Sequence, residues 1–153
     1  MKVNKIIKST VEDKLEITGV TLLSIEEAEI LTEEERKYTS WWWLRSPGTF
    51  SYYATLVNDD GYISSIGYHV DNNYTCVRPA LIINNLKSSN LEIGDIFEID
   101  GYEFKIISEN LAWMCKQDIG RYTFNDFGNG NNYITSNVKK IVDNWYERLR
   151  TDK

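Results

Sequence analysis

The sequence predicts an α+β domain with antiparallel strands, two short helices and one longer helix near its C-terminal end. Apolar and aromatic residues alternate with turn signals in two stretches, 41–83 and 96–115, as in β-rich segments. Capping-box sequences at Ser24 and Thr32 each predict the start of a short helix. Apolar residues recur at three- and four-residue spacing over 138–149, which predicts an amphipathic helix.

In the first forty residues, the pattern predicts short strands at 6–7 and 15–17, with Gly19 as a break. A helix is expected from Ile25 to about Leu31, because Ser24 and Glu27 have capping-box spacing. Thr32 and Glu35 repeat that spacing, so a second helical turn is expected to run to about Tyr38.

The stretch from 41 to 83 predicts several strands separated by turns. Pro47-Gly48 stops the first strand, and the Asn-Asp-Asp-Gly run at 58–61 is a strong hairpin signal. Pro79 must lie at an edge or a bulge, because proline has no N–H to donate to a sheet. The expected strands are 41–45, 52–57, 62–65, 68–70 and 77–83.

A polar segment, 84–92, is the best linker candidate, and a second β-rich part follows it. Asp100-Gly101 predicts a tight hairpin turn. The apolar run 111–115 is expected to form a buried strand, and the Asn- and Gly-rich run 125–132 a flexible loop. Thr135 or Ser136 is expected to cap the C-terminal helix.

Composition excludes several partner classes. The formal net charge is −6, which disfavours nucleic acid and anionic membranes as partners. No apolar run is long enough to span a membrane, and the first residues do not resemble a signal peptide. Two distant cysteines do not form a disulfide framework, so we expect free thiols and a protein that is cytoplasmic when synthesised. Association with a virion is an open alternative, since it leaves no mark in the composition.

Residues 42–48, WWLRSPG, carry a resemblance to a known family. The phrase resembles the signature of a domain family of unknown function that is common in gut bacteria and their prophages. In that family it is followed by A-x-x-V, a D-G turn and V-R-P-A-L, which match 54–57, 60–61 and 77–81. An LLS-x-x-E-A motif, which precedes the signature in that family, matches 22–28, so the resemblance covers about 20–83.

The length of 153 residues predicts one domain over 1–153. The resemblance divides it into a signature half at about 20–83 and a second half at about 93–150. The second half resembles the opening half of the family, placed after the signature instead of before it. This order implies the arrangement of a circular permutant.

The VRPAL segment is also similar to the closing strand of C-type-lectin-like domains of the formylglycine-generating-enzyme type. This similarity implies a C-type-lectin-like twisted antiparallel sheet with short helices. In ligand-binding members of that group, the variable residues precede the last strand. The corresponding stretch, 52–76, is rich in Tyr, Asn, Asp and Ser, a composition that suits a binding surface.

No catalytic, metal or cofactor site is predicted. His69 is the only histidine, so neither a zinc site nor a Ser-His-Asp triad has support. The paired reactive cysteines of formylglycine-generating enzymes are not found either. Acidic runs at 58–61 and 71–73 are explained by turns more simply than by calcium.

Four signature residues have a structural interpretation. Trp42 and Trp43 should point to opposite faces of a strand, one of them core. The favoured interpretation is that the other face is covered as well, and the alternative is that it is an open stacking platform. Arg45 and Arg78 are expected to bond a carboxylate or backbone carbonyls, with Asp60 or Asp71 as candidate partners. The alternative is that these arginines bind an acidic ligand.

The expected function is non-catalytic recognition of a protein or surface ligand by a phage- or prophage-encoded protein. The alternative is an intracellular phage accessory protein that inhibits a host or defence factor through protein–protein contact. The predicted contact residues are half-buried aromatic or adaptable polar side chains: Tyr52, Tyr53, Tyr62, Tyr68, His69, Asn72, Asn73 and Tyr74.

Overall fold

The computed structural model describes residues 6–8 and 15–151. Its helices are α1 (Ile25–Ala28), α2 (Glu33–Arg36) and α3 (Asn137–Thr151), and short 3₁₀ turns cover Leu86–Ser88 and Tyr133–Thr135. The strands in chain order are β1 (Ile6–Lys8), β2 (Glu16–Thr21), β3 (Trp42–Pro47), β4 (Tyr53–Val57), β5 (Ile63–His69), β6 (Ala80–Asn84), β7 (Ile96–Ile99), β8 (Tyr102–Ser108) and β9 (Leu111–Met114).

The strands form two sheets. One has six strands in the order β1-β7-β8-β9-β6-β2, and the other has three in the order β3-β4-β5. All pairs are antiparallel except β1 with β7. The prediction of an α+β fold with antiparallel sheets, short helices and a C-terminal helix is confirmed.

Strand β9 shows how the larger sheet is buried on both faces. Its four residues are all buried, and alternate side chains point to opposite sides. Ala112 and Met114 face a hydrophobic cluster that includes Trp145 of α3, whereas Leu111 and Trp113 face a second cluster. The uninterrupted apolar run at 111–115 therefore marks a strand covered on both sides.

Side chains of strand β3 pack against the larger sheet. Trp42 and Trp43 are both fully buried, on opposite faces of the strand. Trp42 packs against Trp113 between the two sheets, with 5.4 Å between ring centroids, whereas Trp43 meets Phe124 in a third cluster. The favoured interpretation, in which one face of β3 is core and the other is also covered, is confirmed, and neither Trp42 nor Trp43 is open to stacking.

The short helices begin where predicted but end earlier. Both capping boxes form: the side chains of Ser24 and Thr32 accept from the backbone N–H groups of Glu27 and Glu35, and those carboxylates accept in return. Each helix has four residues. After Ala28, the backbone N–H groups of Ile30 and Leu31 donate to carbonyls three residues back, so the α-helical bonding pattern of the first helix stops there.

Two boundaries differ from the sequence prediction. Strand β6 begins at Ala80, after Pro79, so proline precedes the sheet and needs no bulge. The segment 84–92 is no free linker, because its leucines, Leu86 and Leu91, are buried in the cluster beside α3. The predicted break at Gly19 instead lies inside β2, where the register shifts against β6.

The C-terminal helix follows its predicted stripe. Val138, Val142, Trp145 and Leu149 are buried, and the Ser136 hydroxyl accepts from the backbone N–H of Lys139. The predicted turn at Asp100-Gly101 also forms, and both residues have positive φ (52° and 88°), as a type I′ hairpin requires.

Candidate recognition face

Five aromatic side chains form a connected group at the end of β5; we call Phe50, Tyr52, Tyr53, Tyr68 and His69 the aromatic cluster. The Phe50 and Tyr52 rings are stacked with centroids 5.5 Å apart, and Tyr52 stacks on His69 at 5.9 Å. Tyr53 meets the edge of His69 at 4.8 Å, and Tyr68 lies 5.1 Å from His69. These rings restrain one another before any ligand is present.

Strand register brings these rings together. Tyr53 of β4 pairs with His69 of β5, and Ala54 pairs with Tyr68. Strand β5 is the edge of the three-stranded sheet, with no further strand beside it in the described residues. The cluster therefore lies where the end of an edge strand meets the loop before β4.

Two glycines permit the tight packing beneath the cluster. A Cβ added to Gly67, which has a φ of 86°, would lie 2.2 Å from the Ala54 carbonyl oxygen. A Cβ on Gly48 would lie 2.4 Å from the Ile66 carbonyl oxygen. Only glycine leaves room for backbones this close, so these positions fix the path of the loop and of β5.

The cluster is open to solvent. Phe50, Tyr52 and Tyr68 expose 46%, 45% and 39% of their surface. On its inner side, Tyr68 meets the edge of Trp41 at 5.4 Å, and Trp41 packs against the buried cluster around Trp43. The exposed rings are thus supported from behind by the core.

The loop at 125–132, predicted to be flexible, is held by hydrogen bonds to this face. The side-chain amide of Asn131 donates to the carbonyls of Phe50 and Tyr53 at 3.1 and 3.0 Å. Buried Asn125 donates its backbone N–H to the Val70 carbonyl and its side-chain amide to the carbonyls of Asn129 and Gly130. The loop is therefore hydrogen-bonded both to 50–53 and to Val70, which follows the end of β5.

Among the eight predicted contact residues, four lie in the cluster and four do not. Tyr62 is exposed but lies at the opposite end of β5, beside the 58–61 turn. Asn72 uses its side-chain oxygen internally, accepting from the Tyr74 N–H and the Thr75 hydroxyl. Asn73 and Tyr74 are exposed in the loop that follows β5.

Sequence reasoning missed Phe50 and Trp41 as members or supports of the face. Phe50 stands in a loop two residues from Tyr52, and an aromatic residue two positions after the Pro47-Gly48 turn was an available signal. Asn131 was missed because its contacts reach about eighty residues back along the chain.

Arg45 does not bond Asp60 or Asp71; its partner is Glu27 at the start of α1. The two guanidinium nitrogens meet the two carboxylate oxygens at 2.5 and 3.1 Å, and one also donates to the Leu22 carbonyl. Burial raises the pKa of Glu27, but hydrogen bonds from Arg45 and Ser24 outweigh it and hold that pKa below its ordinary value. Glu27 thus serves the helix cap and the ion pair together.

Arg78 is buried among aromatic rings instead of beside a carboxylate. Its guanidinium carbon lies 4.0 Å from the Tyr38 ring centroid, 4.4 Å from that of Trp113 and 5.0 Å from that of Trp42. Its Nε donates to the Gln117 carbonyl at 3.1 Å. Burial lowers the pKa of Arg78 to about 10. Neither Asp60 nor Asp71 pairs with it among the described ion pairs.

Neither cysteine has the environment of a reactive thiol. Cys76 and Cys115 are free thiols whose pKa values are raised by burial, the opposite of an activated nucleophile. Nowhere in the described ranges do three metal-ligating side chains converge. Asp60 accepts from the Tyr62 N–H, which is a turn contact.

A shallow groove of about 470 Å³ adjoins the aromatic cluster. It runs between the end of β3 and the segment before α3, and Asn131, which holds Phe50, forms part of its wall. Its other lining residues are Arg45, Ser46, Pro47, Asn132, Tyr133 and Ile134.

A protein-family model described as "Domain of unknown function (DUF6273)" matches residues 9–85. No curated protein and no solved structure matches the chain. The match spans the half that carries the tryptophan-rich strand, both capped helices and the aromatic cluster. Within the described residues, no helix is long and apolar enough to cross a membrane.

Proposed function

We propose, from the premise that this chain belongs to the DUF6273 family, that it is a recognition domain that binds a protein or surface ligand through the aromatic cluster. The expectation that the chain resembles a domain family of unknown function is thereby confirmed. Family membership does not supply an activity, so the proposal depends on the surface itself.

The observation that carries the proposal is a group of exposed rings that are mutually packed. Aromatic residues exposed in isolation are ordinary, whereas contiguous apolar patches on a protein surface mark interaction sites. Tyrosine suits such a patch, because its ring supplies apolar contact area and its hydroxyl supplies a hydrogen bond. Rings already held in place lose little side-chain entropy on binding.

A non-catalytic role is part of the proposal. The chemistry available at the cluster is stacking and hydrogen bonding, since His69 is surrounded by the rings of Tyr52, Tyr53 and Tyr68. Contact of this kind supports recognition, and it brings no nucleophile near a base.

Two finer expectations belong to the proposal as well: a C-type-lectin-like relationship and a phage or prophage origin. They are supported by the WWLRSPG and VRPAL residues alone. The recognition role depends on neither, because it follows from the exposed cluster.

The test is a binding screen by pull-down and thermal shift that compares three proteins. The double variant Tyr52→Ala/Tyr68→Ala removes two rings of the cluster, whereas Tyr62→Ala removes a more exposed tyrosine beyond the far end of β5. We expect the double variant to lose a partner that the wild type and Tyr62→Ala both retain.

Thermal unfolding of the free proteins separates binding from folding. We expect both variants to keep a melting temperature close to that of the wild type, because the truncated rings are exposed. Equal binding by all three folded proteins would place the contact surface elsewhere.

A further inference from the structure

The two chain segments that build and flank the aromatic cluster contain no lysine or arginine, and His69 is their only histidine. No Lys or Arg occurs between Arg45 and Arg78, or between Arg121 and Lys139, although the chain has 17 in total. The exposed charges that these segments place beside the cluster are the carboxylates of Asp71 and Asp126. This part of the surface is therefore negative.

A backbone hydrogen bond holds the two segments that carry these carboxylates next to each other. Asp71 follows Val70, Asp126 follows Asn125, and the Asn125 N–H donates to the Val70 carbonyl at 3.0 Å. Val70 itself follows His69, so Asp71 lies two residues from a ring of the cluster, and Asp126 lies on the segment bonded next to it.

The basic residues that bound these segments do not neutralise the surface. Arg45 is held by Glu27, and Lys139 pairs with Asp143 at 2.6 Å on α3. Arg121 lies opposite Cys76, at the far side of the loop that contains Tyr74.

From this charge distribution we infer that the partner docks on the aromatic cluster through a basic, arginine-bearing protein segment; the inference rests on the proposed function. A guanidinium plane stacks on tyrosine and phenylalanine faces and bonds carboxylates at its edge. Phe50, Tyr52 and Tyr68 supply the faces, while Asp71 and Asp126 supply the charge. Unlike charges across an interface also raise the association rate.

The probes are four hexapeptides, each made of a single residue type: arginine, lysine, glutamine or glutamate. Each peptide is titrated into the full chain, and binding is followed by NMR. We expect hexa-arginine to bind most tightly, hexa-lysine more weakly, and the other two not at all. The perturbed backbone resonances should centre on 50–53 and 68–74, and added salt should weaken the binding.

Two charge variants sharpen the test. Asp71→Asn/Asp126→Asn removes both carboxylates beside the cluster, and we expect it to weaken hexa-arginine binding about tenfold. Glu33→Gln/Glu34→Gln removes the same number of charges from exposed positions on α2 and should leave binding almost unchanged.

Hexa-arginine binding that is equal in both charge variants, or that perturbs α2 instead of 50–74, overturns the inference, as does equal binding of hexa-glutamine. A physiological partner lost by Tyr52→Ala/Tyr68→Ala but retained by Asp71→Asn/Asp126→Asn at any salt concentration also overturns it. That last result leaves the recognition role intact, so the two failures are distinguishable.

Discussion

Arg45 in β3 forms a bidentate ion pair with Glu27 at the N-terminal end of α1, in which its two terminal guanidinium nitrogens lie 2.5 and 3.1 Å from the two carboxylate oxygens. Glu27 is also the capping-box carboxylate that accepts from the Ser24 N–H at 2.9 Å. One side chain therefore fixes the start of a helix and ties it to the strand that carries the tryptophan-rich sequence. A helix of four residues depends on such an anchor, because isolated short helices are unstable in water.

Glu27→Gln should keep the cap and weaken the ion pair. Glutamine retains the acceptor that a capping box needs, but it loses the negative charge that Arg45 contacts. We expect the free energy of unfolding near pH 7 to fall by about 1 kcal/mol, measured by urea denaturation.

The pH dependence of this difference has a definite sign. The folded-state pKa of Glu27 lies below its ordinary value of 4.5, so the ion pair stabilises the fold above that pH and is lost as the pH falls through the folded pKa. The wild type and Glu27→Gln should converge in stability at acidic pH. A gap that persists there would mean that the charge of Glu27 contributes nothing.

Arg78 should respond differently to its two obvious replacements. Its planar guanidinium lies among the rings of Tyr38, Trp42 and Trp113, and no carboxylate of the described residues forms an ion pair with it. Arg78→Met keeps an apolar stem in the ring cage, and we expect it to cost about 1–2 kcal/mol. Arg78→Lys places a compact, strongly hydrated cation there, and we expect it to cost about 3–5 kcal/mol. Chemical denaturation of both proteins checks the order, and a more stable lysine variant would contradict the cation–π interpretation.

Local signals predicted most elements, because their causes are local. The capping boxes at Ser24 and Thr32 and the turn at Asp100-Gly101 each depend on side chains a few residues apart. Strand order and the ends of β6 depend on partners far along the chain. The register of Ala80 with Trp113, for example, leaves no trace in either segment alone.

The candidate site was predicted in part for the same reason. A Tyr- and Asn-rich stretch indicates a surface, but it does not show which rings share one end of a strand. Tyr62 and Tyr68 both belong to the hairpin of β4 and β5, yet they lie at opposite ends of it. The support from Asn131 could not be foreseen from neighbouring residues, since it joins 131 to 50–53.

Gly67→Ala should be strongly destabilising. Its φ of 86° disfavours any side chain, and the added Cβ would lie 2.2 Å from the Ala54 carbonyl oxygen. We expect a loss of about 3 kcal/mol or more in the free energy of unfolding.

Gly128→Ala is the matched control for that substitution. Gly128 has a similar φ of 89°, but nothing lies within 4 Å of an added Cβ. It should therefore cost only the left-handed strain, about 1–2 kcal/mol. If the two alanine variants lost equal stability, the close approach of Gly67 to Ala54 would not be the reason that position 67 requires glycine.

Asn131→Ala should loosen the aromatic cluster without unfolding the protein. Its amide holds the carbonyls of Phe50 and Tyr53, and both bonds disappear in the variant. We expect faster amide hydrogen exchange confined to 50–53 and a loss of about 1–2 kcal/mol in overall stability. Because the rings would then have to be ordered on binding, affinity for any ligand of the cluster should fall by a similar free energy. Asn129→Ala, at an exposed position of the same loop, should change neither quantity, and faster exchange throughout the chain would show that Asn131 supports the whole fold instead of this face.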